Sequence, residues 1–167
     1  GRAGDAVEQL FASGVPMPRK PRGEGWASRA IASGYPEARA RTSARRTAWF
    51  ASYLATVLSR DVRDVTDIEG LTHLPRLLAL LASRVTGLVN EADLGRTLGI
   101  PHSSLRRYLS LIETLFLVAP VPAWFVNVGK RMAKAPRMHF GDAGLACHLL
   151  DITSAAELHA SAARGPI

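Results

Sequence analysis

The chain has 167 residues, 47% of them hydrophobic and 21% charged, with one cysteine and a formal net charge of +7. That length suits one domain or two very small ones with a sizeable core, and a lone cysteine excludes both an internal disulfide and a thiolate metal cluster. No apolar run approaches the ~18 residues of a membrane span and no signal-peptide core opens the chain, so a cytoplasmic location without a membrane anchor is expected. The positive charge suits an acidic partner such as nucleic acid or a membrane surface. An arginine- and alanine-rich composition of the kind a GC-rich genome encodes accounts for it equally well.

In chain order, Asp5 to Ser13 spaces Ala6, Leu10 and Phe11 as a short amphipathic helix does. Pro16 to Gly25 is too rich in proline, glycine and basic side chains for a helix or an inner strand. Residues 1–25 are therefore expected to be a short helix and a flexible basic linker. Trp26 to Ser33 reads as another short helix, stopped by Gly34 and Pro36. From Ser43 to Arg60, Trp49, Phe50, Tyr53, Leu54, Val57 and Leu58 recur at three- and four-residue steps and mark one buried face. Arg60 to Asp64 makes a charged exit. A second long helix is predicted from Leu74 to Val85, with Leu74, Leu77, Leu78, Leu81 and Val85 inward. Residues 26–86 thus form a helical part.

Residues 87–141 carry a different pattern. Asn90 is a good N-cap, with Asp93 placed like the acid of a capping box. A short helix from Glu91 to Leu98 turns Ala92, Leu94 and Leu98 inward. Gly99 ends it, and Pro101 suits the first turn of the next. That next helix, predicted from Pro101 to about Leu117, presents Leu105, Tyr108, Leu109, Ile112, Leu115 and Phe116 to the core. Ser103, Arg106, Arg107 and Ser110 remain on its outer face. Two helices joined by a tight glycine turn, the second with a polar and basic outer face, form a helix-turn-helix.

Leu117 to Phe125 then reads as an extended segment that Pro120 and Pro122 confine to a sheet edge. Arg137 to Phe140 is a short strand, and Lys130, Arg131 and Lys134 lie between the two. A helix-turn-helix followed by a β-hairpin with a basic tip is a winged helix. Residues 142–167 close the chain with a helix after Asp142, its expected cap, and a weaker one around Ser154–Ala162. The fold class is therefore mainly α, a helical N-terminal part with a winged helix-turn-helix and a small β-hairpin.

The candidate nucleic-acid contacts are Ser103, Arg106, Arg107 and Ser110 on the second helix, and Lys130, Arg131 and Lys134 at the hairpin tip. A helix in the major groove reaches bases and phosphates from its outer face, and Lys130, Arg131, Lys134 and Arg137 suit a phosphate backbone. A solvated surface, or an interface with another protein domain, fits the same residues. Trp49, Phe50, Tyr53 and Trp124 have core spacing. Glu37 and Asp142 are expected to be structural, since nothing in the sequence places them together. His139 and His148 lack further ligands at metal spacing, and Cys147 on an apolar helix is expected to be inert core. No Gly-x-x-x-x-Gly-Lys-Ser/Thr loop or Gly-x-Ser-x-Gly elbow occurs, so the chain itself is expected to be no enzyme and to hold no cofactor or metal.

Several strings, taken together and in order, resemble a domain-of-unknown-function region at the C-terminus of prokaryotic AAA-type ATPases. They are Ser33-Gly34-Tyr35-Pro36-Glu37, Trp49-Phe50-x-x-Tyr53, Arg60-Asp61-Val62, Leu98-Gly99-Ile100, Arg107-Tyr108-Leu109, Leu111-x-Glu113-Thr114, Lys130-Arg131-x-x-Lys134-x-Pro136 and Phe140-x-Asp142-x-Gly144-Leu145. The resemblance covers about Ser33 to Leu150. It implies a winged helix followed by a restriction-endonuclease-like fold, with an ATPase domain ahead of both. The nuclease-like fold typically opens with a Gly-x-x-Phe-Glu string, and this chain reaches Gly165-Pro166-Ile167 where that string would begin. By resemblance, then, the chain is a piece truncated on both sides. Its partners are the parent's ATPase and nuclease-like domains and duplex DNA, and ATP and magnesium belong to the parent's ATPase domain. Pro101 departs from the small hydroxyl residue that usually opens the second helix in these proteins, which removes one phosphate contact.

Overall fold

A computed structural model describes residues 25–60, 70–85, 87–122, 135–164 and 167. The expected helix at 5–13, the linker that follows, the charged exit at 61–64, Trp124 and the basic residues Lys130, Arg131 and Lys134 lie outside the described residues.

The described elements are α1 (Trp26–Ala32), α2 (Pro36–Arg39), α3 (Ser43–Arg60), α4 (Gly70–Ser83), α5 (Glu91–Leu98), α6 (His102–Thr114), β1 (Val118–Val121), β2 (Arg137–Phe140), α7 (Ala143–Leu149) and α8 (Ala155–Ala160), with a 3₁₀ turn at Ala162–Arg164. The fold is mainly α with a small two-stranded antiparallel sheet. The predicted core face of α4 is buried in full: Leu74, Leu77, Leu78, Leu81 and Val85 all turn inward. The helix starts four residues before the expected Leu74, so Pro75 lies inside it and forgoes one backbone bond there.

One hydrophobic cluster runs through the molecule, from Ala38 and Phe50 through α4, Leu94, Leu105 and Ile112 to Met138 and Leu145. Trp49 and Tyr53 are half-buried against it, around Tyr35. A smaller cluster joins Ala27 and Ile31 of α1 to Cys147, Ile152 and Leu158.

The α5–turn–α6 unit forms for local reasons. The Asn90 side chain accepts from Asp93 N at 3.0 Å and caps α5. Gly99 leaves the helix at φ 70°, in the left-handed region where a glycine has no Cβ to clash. Ile100 N then returns to Gly95 O at 3.0 Å. Pro101 stands at the cap of α6 rather than inside its first turn.

Four expectations about this unit need correction. Ala92 is exposed, while Leu111, left off the expected core face, is buried. Helix α6 ends at Thr114, and Phe116 is 84% exposed instead of buried. The reason lies in the helix end. Phe116 adopts φ 56°, with Phe116 N bonded to Glu113 O and Leu117 N to Ile112 O at 2.9 and 3.1 Å. This is a Schellman turn whose left-handed residue is a phenylalanine instead of the usual glycine. It ejects the ring and packs Leu117 with Ile112 inside.

Strands β1 and β2 pair from Val118↔Phe140 to Val121↔Arg137. Leu88 forms an isolated antiparallel bridge to Arg137, and Val89 N donates to Pro136 O at 2.9 Å. The segment before α5 therefore joins the other edge of β2. Val118 and Met138 face the core, whereas Ala119, Val121, Arg137 and Leu88 are exposed.

Candidate nucleic-acid interface

Helix α6 divides cleanly. Leu105, Tyr108, Leu109, Leu111 and Ile112 are buried, and Ser103, Arg106, Arg107 and Ser110 are all exposed. The steps of three and four residues that bury the first set hold the second together as one stripe. The structure thus places all four predicted helix residues on a single outward face.

Two further residues belong to that face and were missed in the sequence. Glu91 is the first residue of α5, and its Oε2 accepts from Arg106 Nε at 2.9 Å. The same oxygen lies 2.8 Å from His102 Nε2. The hydrogen bond from Arg106 is the main cause holding the Glu91 carboxyl below its usual range, with burial opposing it. Arg107 has its guanidinium carbon 5.8 Å from the centre of the Tyr108 ring. Nearby, Arg84 is paired with Asp93, which Arg96 also approaches at 3.7 Å. These pairs tie the end of α4 to α5. No local pattern announces Glu91, because its partners are 11 and 15 positions away along the chain. Only the packing of α5 on α6, with the start of one beside the start of the other, signals the contact.

The other polar groups weighed in the sequence have structural settings. Glu37 Oε2 accepts from Trp49 Nε1 at 3.0 Å. Asp142 is buried and caps α7 by accepting from Leu145 N at 2.8 Å. Cys147 is buried, and desolvation pushes its thiol up to about 11, where it is a poor nucleophile. Among the described residues, no group of three or more His, Cys, Asp or Glu side chains gathers as a metal site requires. Nor is any helix there long and apolar enough to cross a membrane. An apolar cleft of about 410 Å³ lies between α3 and α4, lined by Leu54, Leu58, Pro75, Leu78 and Leu149, without a group that does chemistry.

His148 makes a testable point. Its ring stacks on Phe50, centroids 5.3 Å apart. Burial lowers its pKa below the ordinary 6.5, with Asp151 opposing the shift. The folded state therefore holds fewer protons than the unfolded state in the window just below that value. This stabilisation is present above about pH 6.5 and is lost as pH falls through the folded-state pKa. We expect the melting temperature to drop between pH 7 and pH 5, and the drop to shrink in His148→Gln. An identical drop in the two proteins would contradict the assignment.

No solved structure matches the chain. The uncharacterized proteins Rv2008c of Mycobacterium tuberculosis and Mb2031c of Mycobacterium bovis are each 31% identical to it over 117 residues, which is 70% of this chain and 26% of theirs. The chain spans about a quarter of the length of the curated relatives it matches. The domain of unknown function DUF8612 matches residues 23–156, most of the chain and every described element from α1 to α7, and the protein belongs to that family.

Proposed function

We propose that this chain is a non-catalytic, cytoplasmic winged-helix accessory region of an AAA-type ATPase, and that it binds duplex DNA. Helix α6 is the groove-entering helix in this reading. Lys130, Arg131 and Lys134, which follow β1 in the sequence, are the candidate phosphate contacts beyond that helix. The observation that carries the reading is the bridge of Leu88 to the outer edge of β2. Because Leu88 bridges Arg137 beside the β1–β2 ladder, the described elements run α4, the bridged segment at Leu88, α5, α6, β1 and β2. That order suits a winged helix, with the serine and arginine face of α6 turned outward. The ATPase association rests on the ordered sequence strings, and any ATP and magnesium chemistry belongs to that partner domain.

The test is binding to labelled duplex DNA across a salt series, with Arg106, Arg107, Lys130, Arg131 and Lys134 changed together to alanine. If each cation neutralises one phosphate, log K falls with log salt at a slope of about −4 to −5. The variant should lose most of that slope. No binding at low salt, or a variant that binds like the parent, would sink the proposal.

A second reading, docking to the ATPase or another protein, is favoured by one feature. Leu88 and Val121 both stand opposite Arg137 in the sheet and are 63% and 45% exposed. Apolar side chains set in line on an open sheet face suit a protein partner.

A further inference from the structure

We infer that Glu91 is a specificity gate on the α6 face, a carboxylate that competes with and repels a DNA phosphate at Arg106 and His102. The inference rests on the nucleic-acid reading above and adds what controls that face.

Three observations converge. One carboxylate oxygen serves two basic side chains of the first turns of α6, at 2.9 Å from Arg106 Nε and 2.8 Å from His102 Nε2. The carboxylate is held in place from behind: Glu91 opens α5, whose cap is the Asn90 side chain, and a negative charge is favoured in a first helical turn. The hydrogen bond from Arg106 holds its pKa below the usual range, so the contact favours the ionised form. Finally, the three side chains are 33%, 68% and 56% exposed for Glu91, Arg106 and His102, so the cluster sits where a ligand of the face arrives.

The physical consequence is a competition. Arg106 spends Nε on Glu91, and its terminal nitrogens remain for another acceptor. A phosphate that reaches them comes close to the Glu91 carboxylate, and the two anions repel. Backbone contact alone is therefore penalised at this point of the surface. A ligand that also satisfies Ser103, Arg107 and Ser110 offsets the penalty. Charges placed against the wrong ligand are a recurrent route to specificity.

The experiment measures binding of a generic labelled duplex to the parent chain, Glu91→Gln, Arg106→Ala and the double variant, over a salt series. Glu113→Gln removes the same charge farther along α6 and controls for net charge. Thermal melting of each variant checks that the fold is kept. Glu91→Gln is expected to bind roughly three- to tenfold tighter at low salt, the scale of one exposed charge pair. Its log–log salt slope should steepen by about 1, from the four-cation end of the −4 to −5 range to the five-cation end, as Arg106 is released to meet a phosphate. The gain should vanish in the double variant and be absent in Glu113→Gln. Equal or weaker binding by a folded Glu91→Gln overturns the gate and leaves the DNA reading standing. An equal gain in Glu113→Gln, or one that survives without Arg106, also overturns it, because net charge then explains the result. No binding by any of these proteins at low salt overturns the DNA reading, and the gate falls with it.

Discussion

Asp142→Ala is expected to destabilise the fold by about 3–5 kcal/mol, because it strands several buried donors at once. The carboxylate is 8% exposed. It accepts from Ser33 Oγ at 2.9 Å, from Gly34 N at 2.6 Å and from Leu145 N at 2.8 Å. The last of these caps α7, worth about 1 kcal/mol alone. The first two close a contact across more than a hundred residues of chain. Ser33, itself 2% exposed and held at φ 75°, adopts a conformation that a non-glycine residue tolerates only when its surroundings hold it. Gly144 completes the clip: a Cβ there would come within 2.6 Å of the Ser33 Cβ. For a chain of this size the loss should lower the melting temperature by roughly 10 °C. Urea unfolding supplies the free energy, and Asp142→Asn, which keeps an acceptor for the cap, should fall between the two. A loss below about 1 kcal/mol for the alanine variant would mean that the clip is not formed in solution.

Phe50→Ala should cost a comparable ~3–5 kcal/mol, by removing a large buried ring that its surroundings refill only in part. Phe50 is 1% exposed. Its ring meets Trp49 at 5.2 Å, Tyr35 at 6.3 Å and His148 at 5.3 Å between centroids, so it joins α3 to α7 and to the turn before α2. The substitution carries a second readout. With the ring gone, water reaches His148 and its lowered pKa should rise toward the ordinary value, which an NMR titration follows. A loss under about 1.5 kcal/mol with an unmoved His148 titration would show that Phe50 is not the anchor placed here.

These two residues also show how far the sequence could be read. Phe50 was visible as core because its neighbours Leu54, Val57 and Leu58 repeat with the period of a helix. Asp142 was visible as a cap because a cap is a contact over three residues, written next to the helix it begins. Its bonds to Ser33 and Gly34 were not visible. The strings that contain these residues stood out only as matching pieces, and nothing in either string points to the other. Phe116 failed for a related reason. It continues the apolar rhythm of α6, yet the Schellman turn at that position depends on where β1 has to begin. The candidate site divides in the same way. Ser103, Arg106, Arg107 and Ser110 followed from helical spacing. Glu91 and His102 emerged only when α5 was laid beside α6.

By itself, then, the sequence determined the mainly α class, the extent of α3, the Asn90 and Gly99 punctuation around α5, and which side of α6 is polar. Each of these is set by interactions within one or two helical turns, whose energies depend on residues adjacent in the chain. The tertiary structure alone decided that Leu88 bridges β2, that Ser33 closes on Asp142 and that Glu91 holds Arg106 and His102. Such contacts join segments that no local pattern relates. They form only because burial of the shared core brings their backbones together, and the polar groups at those junctions then pair with whatever the packing has placed in reach.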